Sequence, residues 1–252
     1  MRFLPAKSPK SPPASPTAAA SSTRTDRPRG RDSNPDRFLS GHNSPMTPLL
    51  ALVALAPATT DLVFVRHSET VANATGKYNS RTLNVFSVKG QKLVDTLTEQ
   101  LVKAQRFDAI VVSPSPRALR TIAPYLARTG QKATVWPLLY ECCTERPRQP
   151  EAKSFGFGAT IKVPSDLNAE SFTIIPTENR LPAPRGYGEG LAQVRASVAE
   201  FRQRFAGKRV LVVGHSAHGG LFLKALTGKA YRVENAKPMG FKLDLDALPP
   251  QG

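Results

Sequence analysis

Two histidines in this sequence come directly after runs of apolar residues. His67 follows the run 62–65 (LVFV) and Arg66, and His215 follows the run 210–213 (VLVV) and one glycine. Continuous runs rich in β-branched residues are typical of parallel strands that are covered on both faces, and ligands bind beyond the carboxyl ends of such strands. The sequence therefore predicts a pocket at one edge of a sheet that contains both histidines.

The overall charge indicates which ligands this pocket favours. The chain has 252 residues and a formal net charge of +16. A positive field attracts anions, so charge alone admits phosphorylated substrates, anionic lipid and nucleic acid. The sequence has no base-reading module and no basic helix with interleaved aromatic residues, so we expect no nucleic acid partner.

The elements that must position the two histidines alternate along the chain. Strands are predicted at 62–65, 109–112, 133–136 and 210–213, and helices at 88–105, from Pro116 onward, at 188–205 and after His215. Strands that alternate with amphipathic helices form a sheet with helices on both faces. The predicted fold is therefore a three-layer α/β/α sandwich with a mainly parallel sheet.

The first 60 residues differ in composition from the rest. Residues 1–48 are rich in Pro, Ser and Arg and have no periodic pattern, which predicts a disordered tail. The apolar segment 49–60 is too short for stable membrane insertion. If translation starts at Met46, this segment resembles a secretory signal and the protein is exported to the periplasm or the extracellular space. Otherwise it packs against the domain 61–248 and the protein is cytoplasmic.

Residues 142–187 interrupt the alternation of strands and helices. They are rich in Pro, Gly and charge, and only the short run 172–175 is typical of a strand. Long insertions of this kind commonly cover binding sites, so we predict a cap over the pocket. Four basic residues of this cap either hold a second anionic group or are simply solvated: Arg146, Arg148, Lys153 and Lys162.

The two cysteines, Cys142 and Cys143, are adjacent in the sequence. Neighbouring cysteines pair only with strain, and two cysteines are too few for a structural zinc site. We therefore expect both to be unpaired, small core residues.

Four motifs in this order resemble those of the histidine phosphatase superfamily, in its phosphoglycerate mutase-like family. They are 66–70 (RHSET) with Asn73, 113–118 (SPSPRA) with Thr121, 139–141 (LYE) and 214–215 (GH). The acid precedes the second histidine, as in branch 1 of that superfamily. The resemblance covers residues 61 to about 245 and implies the phosphoglycerate mutase-like fold.

The resemblance also implies roles for the matching residues. His67 would be the nucleophile that forms a phosphohistidine. Arg66 and Arg117 would bind phosphate oxygens through their planar forks of N–H donors. His215, protonated when phosphate is bound, would donate a further hydrogen bond, and Asn73 would add a neutral donor.

The general acid implied by the resemblance is Glu141, with Glu145 as its rival. A glutamate is ionised at neutral pH, so this role needs burial or a nearby phosphate to raise the pKa of the Glu141 carboxyl. Arginines and histidines supply the charge stabilisation, so we expect neither a metal nor a cofactor.

Other polar residues near the motifs have ordinary structural explanations. Glu69 is predicted to stabilise a helix start. Arg120, one turn beyond Arg117, is predicted to lie on a solvated face, and His218 on a helix surface. Ser68 stands where the resembled family usually has glycine, and we expect this side chain to be tolerated.

Three functions are compatible with these residues. The first is a metal-independent phosphomonoester hydrolase that acts on a small phosphorylated metabolite through a phosphohistidine. The second is phosphoglycerate mutase-type transfer, and the third is a catalytically weak module that binds a phosphorylated ligand. The mutase Trp-Glu-Gly element is missing and the stretch from Glu141 to His215 is short, which favours the hydrolase. The sequence predicts neither the natural substrate nor the oligomeric state.

Overall fold

A computed structural model describes residues 59–143, 158–182 and 187–245. They lie in one compact unit, Val53–Gly252. The predicted tail 1–48, residues 49–58 of the apolar segment and Met46 are outside the described residues. No helix of the described ranges is long and apolar enough to cross a membrane.

Six strands form one sheet in the order β4-β3-β2-β5-β1-β6. All neighbouring strands are parallel except β1 and β6, which are antiparallel. The strands are β1 (Thr60–Arg66), β2 (Ala109–Val112), β3 (Ala133–Val135), β4 (Phe172–Ile174), β5 (Arg209–Gly214) and β6 (Met239–Leu243).

Helices cover both faces of the sheet, as the sequence predicts. They are α1 (Val71–Thr75), α2 (Val88–Lys103), α3 (Pro116–Thr129), α4 (Tyr187–Phe205) and α5 (Ala217–Thr227), with single 3-10 turns at Pro137–Leu139, Ala169–Ser171 and Pro176–Glu178. One core cluster joins the sheet to α4 and α5, and the other joins it to α2 and α3. The three-layer α/β/α sandwich with a mainly parallel sheet is therefore confirmed.

Strand register brings the two histidines together. Arg66, the last residue of β1, lies opposite Gly214, the last residue of β5. The His67 backbone N–H then donates to the Gly214 carbonyl over 2.9 Å. On the other side of β5, the last residues of β2 pair with the same strand, and Ser113 N–H donates to the Val213 carbonyl over 2.9 Å. Three neighbouring strand ends thus deliver His67, His215 and Ser113 to one edge.

Two elements differ from the sequence-based expectation. Strand β6 and the five-residue helix α1 were not predicted. The predicted cap 142–187 is described only at 142–143, 158–182 and 187, and its strand β4 pairs in parallel with β3. Phe172 of β4 is buried in the core, so this part of the insertion extends the sheet.

Candidate active site

His67 lies at the end of β1 with its imidazole buried. Its Nδ1 is 2.8 Å from the backbone carbonyl oxygen of Ser68. A carbonyl only accepts, so Nδ1 carries the proton and Nε2 keeps its lone pair. Burial, followed by the charges of Arg117 and Arg66, holds the pKa of His67 well below its usual value. The ring is therefore neutral and has one nitrogen available for nucleophilic attack.

Ser68 places a side chain beside this histidine without leaving a polar group unsatisfied. Its hydroxyl donates to the Gly90 carbonyl over 2.6 Å, and its backbone N–H donates to Thr121 Oγ1 over 2.9 Å. A Cβ on Gly90 would lie 1.9 Å from the Glu69 carbonyl oxygen, so α2 approaches the segment 66–69 closely only because residue 90 is glycine. Ser68 thus fixes this segment between α2 and α3.

His215 is fully buried and has both ring nitrogens engaged. Arg117 Nη2 lies 3.2 Å from Nδ1, and a guanidinium only donates, so Nδ1 accepts. The proton is then on Nε2, which is 2.7 Å from Ser113 Oγ and 3.2 Å from Ser115 Oγ. Burial and the neighbouring Arg117 hold the pKa of His215 well below its usual value. His215 is neutral in the free site, and the protonation predicted from the sequence requires a bound phosphate.

The two arginines place positive charge beside the histidines. Arg117 is buried in the first turn of α3, and its Nη1 donates to Asn84 Oδ1 over 3.3 Å. Arg66 Nη1 donates to the Val233 carbonyl over 3.3 Å, while its buried Nε has no partner among the described residues. Burial lowers the pKa of both guanidiniums and Glu141 opposes that shift. Arginine stays charged in proteins, so the two guanidiniums beside the histidines favour an anion there.

Glu141 faces the same pocket, from the segment after β3. Its Oε1 accepts from the His218 backbone N–H over 3.1 Å, and its Oε2 is 3.9 Å from His215 Nδ1. Burial raises the pKa of this carboxyl, although the His218 N–H and Arg117 oppose the rise. One fifth of the side chain is exposed. Glu141 can therefore hold a proton and exchange it with solvent, as a general acid requires.

Asn73 caps the start of α1 and lies close to the segment 66–70. Its Oδ1 accepts from the Thr70 backbone N–H over 3.2 Å and from Asn235 Nδ2 over 3.4 Å. Its Nδ2 is 3.5 Å from the Tyr78 hydroxyl oxygen. Asn235 Nδ2 also donates to the His67 carbonyl over 2.8 Å. The predicted phosphate contact of Asn73 depends on its Nδ2, because the amide oxygen only accepts hydrogen bonds and phosphate needs a donor.

His218 is not a surface residue, which corrects the sequence-based prediction. Its ring is fully buried, stacks on Phe222 with centroids 5.9 Å apart, and places Nε2 3.2 Å from Ser197 Oγ. Burial lowers the pKa of His218 to about 4. The backbone of this residue, rather than its imidazole, contacts Glu141.

Arg120 is also more constrained than predicted. Its guanidinium makes two contacts of 2.8 Å with the Asp166 carboxylate, and Nη1 donates to the Asn84 carbonyl over 3.0 Å. Only 29% of its side chain is exposed. Arg120 therefore links α3 to the 158–182 segment instead of lying on a solvated face.

Glu69 has the structural role that was predicted, but at a different helix. Thr70 is the N-cap of α1, so Glu69 lies before that helix. Its carboxylate accepts from Ser87 Oγ over 2.7 Å and from Lys89 Nζ over 3.1 Å. Ser87 is the N-cap of α2, and Glu69 therefore stabilises the start of α2.

The prediction that the two cysteines are unpaired was wrong, but their predicted place in the core is confirmed, since Cys142 belongs to a core cluster and Cys143 packs against it. Cys142 and Cys143 are joined by a disulfide, with Cys143 in a left-handed backbone conformation at φ 65°. Gly190 of α4 packs against the pair, since a Cβ there would lie 2.8 Å from Cys143 Sγ. The local backbone accommodates the pairing that the adjacency of the two cysteines was expected to disfavour. The disulfide lies directly after Glu141.

Of the remaining candidates, Lys162 is exposed. Glu145, Arg146, Arg148 and Lys153 lie outside the described residues. Sequence reasoning missed the contacts of Ser113 and Ser115 with His215. It also missed the contacts of Asn84 with Arg117 and Arg120, and that of Asn235 with the His67 carbonyl. The serines had a usable signal, because they follow β2 and precede the helix that carries Arg117.

Comparisons with known proteins agree with this fold. The family model for the histidine phosphatase superfamily (branch 1) matches residues 62–246. No curated protein matches the chain significantly. Among solved structures, phosphoglycerate mutase from Bacillus anthracis str. Sterne has a TM-score of 0.51 and 19% identity over 73% of this chain and 88% of that chain. This likeness supports the fold.

Two phosphatases are similar at a comparable level. Alpha-ribazole phosphatase from Shigella flexneri has a TM-score of 0.48 and 21% identity, over 71% of this chain and 89% of that chain. Phosphoserine phosphatase from Entamoeba histolytica has a TM-score of 0.48 and 18% identity, over 72% of this chain and 90% of that chain.

Proposed function

The chain belongs to the histidine phosphatase superfamily (branch 1), and from this premise we propose that it hydrolyses phosphomonoesters through a phosphohistidine on His67. The observation that supports this most directly is the hydrogen bond from His67 Nδ1 to the Ser68 carbonyl, which leaves Nε2 unprotonated. The substrate is a small phosphorylated metabolite. The proposed reaction uses neither a metal nor a cofactor, because the guanidiniums of Arg66 and Arg117 supply the positive charge.

In the first step, His67 Nε2 attacks phosphorus while the bond from phosphorus to the ester oxygen breaks. Arg66 and Arg117 donate to the equatorial oxygens, where negative charge accumulates in the transition state. Glu141 gives its proton to the leaving oxygen, which departs as an alcohol. The arriving phosphate dianion also favours uptake of a proton from solvent at His215 Nδ1, which then donates to the transferring group in place of accepting from Arg117, and this proton is released when phosphate leaves.

In the second step, water attacks the phosphohistidine from the side that the alcohol has left. The Glu141 carboxylate takes a proton from that water, the N–P bond breaks, and inorganic phosphate forms. His67 returns to its neutral form and Glu141 to its protonated form. Each group thus ends the cycle in its starting state.

Access of water favours hydrolysis over intramolecular phosphoryl transfer. A mutase must exclude water while its phosphoenzyme waits for the substrate to reorient. Here one fifth of the Glu141 side chain is exposed, so water reaches the group that would activate it. Glu141, His67 and His215 are all present, which also favours catalysis over a weak binding module.

The test is release of inorganic phosphate from p-nitrophenyl phosphate by the full chain after treatment with EDTA. We expect steady turnover by the parent and a loss of at least about 1,000-fold in His67→Ala. His42→Ala changes the chain's only histidine outside the domain 61–248 and serves as the matched control with parental activity. Equal rates in the parent and His67→Ala would overturn the histidine mechanism. Interconversion of 2- and 3-phosphoglycerate faster than hydrolysis would show that the protein is a mutase.

A further inference from the structure

Asn84 lies between two arginines that are one turn apart on α3. Its side-chain Oδ1 accepts from Arg117 Nη1 over 3.3 Å, and its backbone carbonyl accepts from Arg120 Nη1 over 3.0 Å. We infer that Asn84 is a positioning residue for Arg117, and that the Arg120–Asp166 pair fixes Asn84 in place. This inference rests on the proposed function, because the group that Arg117 would hold is the phosphoryl group.

Orientation matters for Arg117 because a guanidinium binds phosphate through a planar fork. The Arg117 side chain is buried, and its Nη2 donates to His215 Nδ1 over 3.2 Å. The Asn84 contact constrains Nη1, so the two terminal nitrogens are held from different sides. An error of about 1 Å in the position of such a group can cost orders of magnitude in rate. Asn84 therefore sets the plane in which the fork meets phosphate.

The Arg120–Asp166 pair extends this contact to the 158–182 segment. The two carboxylate oxygens of Asp166 each lie 2.8 Å from the Arg120 guanidinium. An exposed ion pair contributes little to stability by itself. Because the same guanidinium also holds the Asn84 carbonyl, the pair restricts the backbone from which the Asn84 side chain reaches Arg117. Asp166, Arg120, Asn84 and Arg117 thus form a continuous relay.

The loop that carries Asn84 is anchored without the Asn84 side chain. Val71 N–H donates to the Val85 carbonyl over 2.8 Å, and Ala72 N–H donates to the Thr82 carbonyl over 3.1 Å. These bonds tie the loop to α1 on both sides of residue 84. Removal of the Asn84 amide should therefore leave the loop and the fold intact.

The experiment is a double-mutant cycle read out by vanadate inhibition of p-nitrophenyl phosphate hydrolysis. We expect the inhibition constant to rise about tenfold in Asn84→Ala and about threefold in Asp166→Ala. The double variant should show about tenfold rather than thirtyfold, because Asp166 acts through Asn84. The KM should rise more than kcat falls, and the melting temperature should stay near the parental value.

Glu99→Ala is the matched control. Glu99 pairs with Arg128, which is also on α3, but at the end far from Arg117. This variant removes an exposed ion pair between α2 and α3 and should leave vanadate inhibition unchanged. An unchanged inhibition constant in Asn84→Ala, or losses that multiply in the double variant, overturns the relay.

Asp166→Ala also provides a second test of the relay if the Asn84→Ala variant misfolds. Asp166 is 55% exposed, so its removal tests the far end of the relay at the protein surface. An Asp166→Ala variant with parental vanadate inhibition contradicts the relay even if Asn84→Ala does not fold. A parent that neither hydrolyses the ester nor binds vanadate overturns the proposed function itself, so the two failures are distinguishable.

Discussion

His67 and His215 are neighbours with opposite hydrogen-bonding arrangements. Their ring centroids are 5.2 Å apart, and both rings are buried, with their pKa values well below the usual one. The Nδ1 of His67 donates to the Ser68 carbonyl, while the Nδ1 of His215 accepts from Arg117. The two rings are therefore held in opposite tautomers.

This difference indicates which histidine can attack phosphorus. His67 has its Nδ1 held by the backbone carbonyl of Ser68, and no described side chain holds its Nε2. His215 has its Nδ1 held by Arg117 and its Nε2 held by Ser113. The two rings are similarly buried but differ chemically, because their hydrogen-bond partners determine the tautomer and burial does not. This supports an assignment of His67 as nucleophile and His215 as a stabilising group.

The largest expected effect comes from a comparison of the two histidine-to-alanine variants. His67→Ala should form no phosphoenzyme, because its nucleophile is gone. His215→Ala should still form one, about 100-fold more slowly, because only transition-state stabilisation is lost. Rapid acid-free quenching followed by detection of phosphohistidine measures both. Phosphoenzyme in His67→Ala would show that another residue is the nucleophile. Complete absence of phosphoenzyme in a folded His215→Ala would show that attack needs both histidines, which removes the proposed asymmetry.

The next effect concerns Glu141, whose Oε2 lies 3.9 Å from His215 Nδ1. Glu141→Gln keeps the shape but cannot donate a proton, so hydrolysis of an alkyl phosphate should fall about 100-fold and that of an aryl phosphate much less. Burial raises the pKa of Glu141, and the acid must be protonated at the start. The parental rate should therefore fall as pH rises through this raised pKa, and that limb should vanish in the variant.

The same pH profile has a second, acidic limb. His67 attacks only when neutral, and its pKa lies well below 6.5. The rate should therefore fall only at acidic pH, and this limb should remain in Glu141→Gln. Glu69→Gln is the matched control, since Glu69 stabilises the start of α2 and should give no dependence on the leaving group. Equal losses for alkyl and aryl esters in Glu141→Gln would contradict the general-acid assignment.

The sequence predicted those parts of the fold and site that depend on local pattern. Strands β1, β2 and β5 were readable because their apolar runs are continuous, and parallel pairing then placed both histidines at one edge. Strand β6 was missed because a five-residue run with glycine at its second position has little strand character. Helix α1 has only five residues, too few for a periodic signal.

The rest of the site depended on contacts between loops that no pattern encodes. The bond of Asn84 to Arg117 joins residues 33 positions apart, and that of Asn235 to the His67 carbonyl spans 168 positions. The burial of His218 did have a signal. His218, Phe222 and Leu226 recur at intervals of four, so this histidine shares the apolar face of α5.

A smaller effect should come from the serines that fix the tautomer of His215. Ser113 Oγ lies 2.7 Å from Nε2 and Ser115 Oγ lies 3.2 Å from it. Ser113→Ala should lower kcat/KM about tenfold, and Ser115→Ala, the matched variant, about threefold, because the shorter bond contributes more. Steady-state kinetics measures both. Parental kcat/KM in the double variant would show that Arg117 alone fixes the tautomer.

The smallest expected effect on catalysis comes from His218, whose pKa of about 4 is set by burial alone. An unfolded histidine takes up a proton near pH 6.5, whereas folded His218 does so near pH 4. Parental stability is therefore lost as pH falls from 6.5 to 4, and this residue contributes up to about 3 kcal/mol of that loss.

His218→Gln should remove this contribution while it keeps the backbone N–H that Glu141 accepts. We expect kcat/KM within about threefold of the parental value, since no imidazole contact with the reacting groups is lost. Urea unfolding at pH 7 and at pH 4.5 measures the stability change. The variant should be less stable at pH 7, because stacking on Phe222 is lost, and the gap should narrow at pH 4.5. A constant gap would show that groups other than His218 cause the acid sensitivity, and would contradict the lowered pKa of His218.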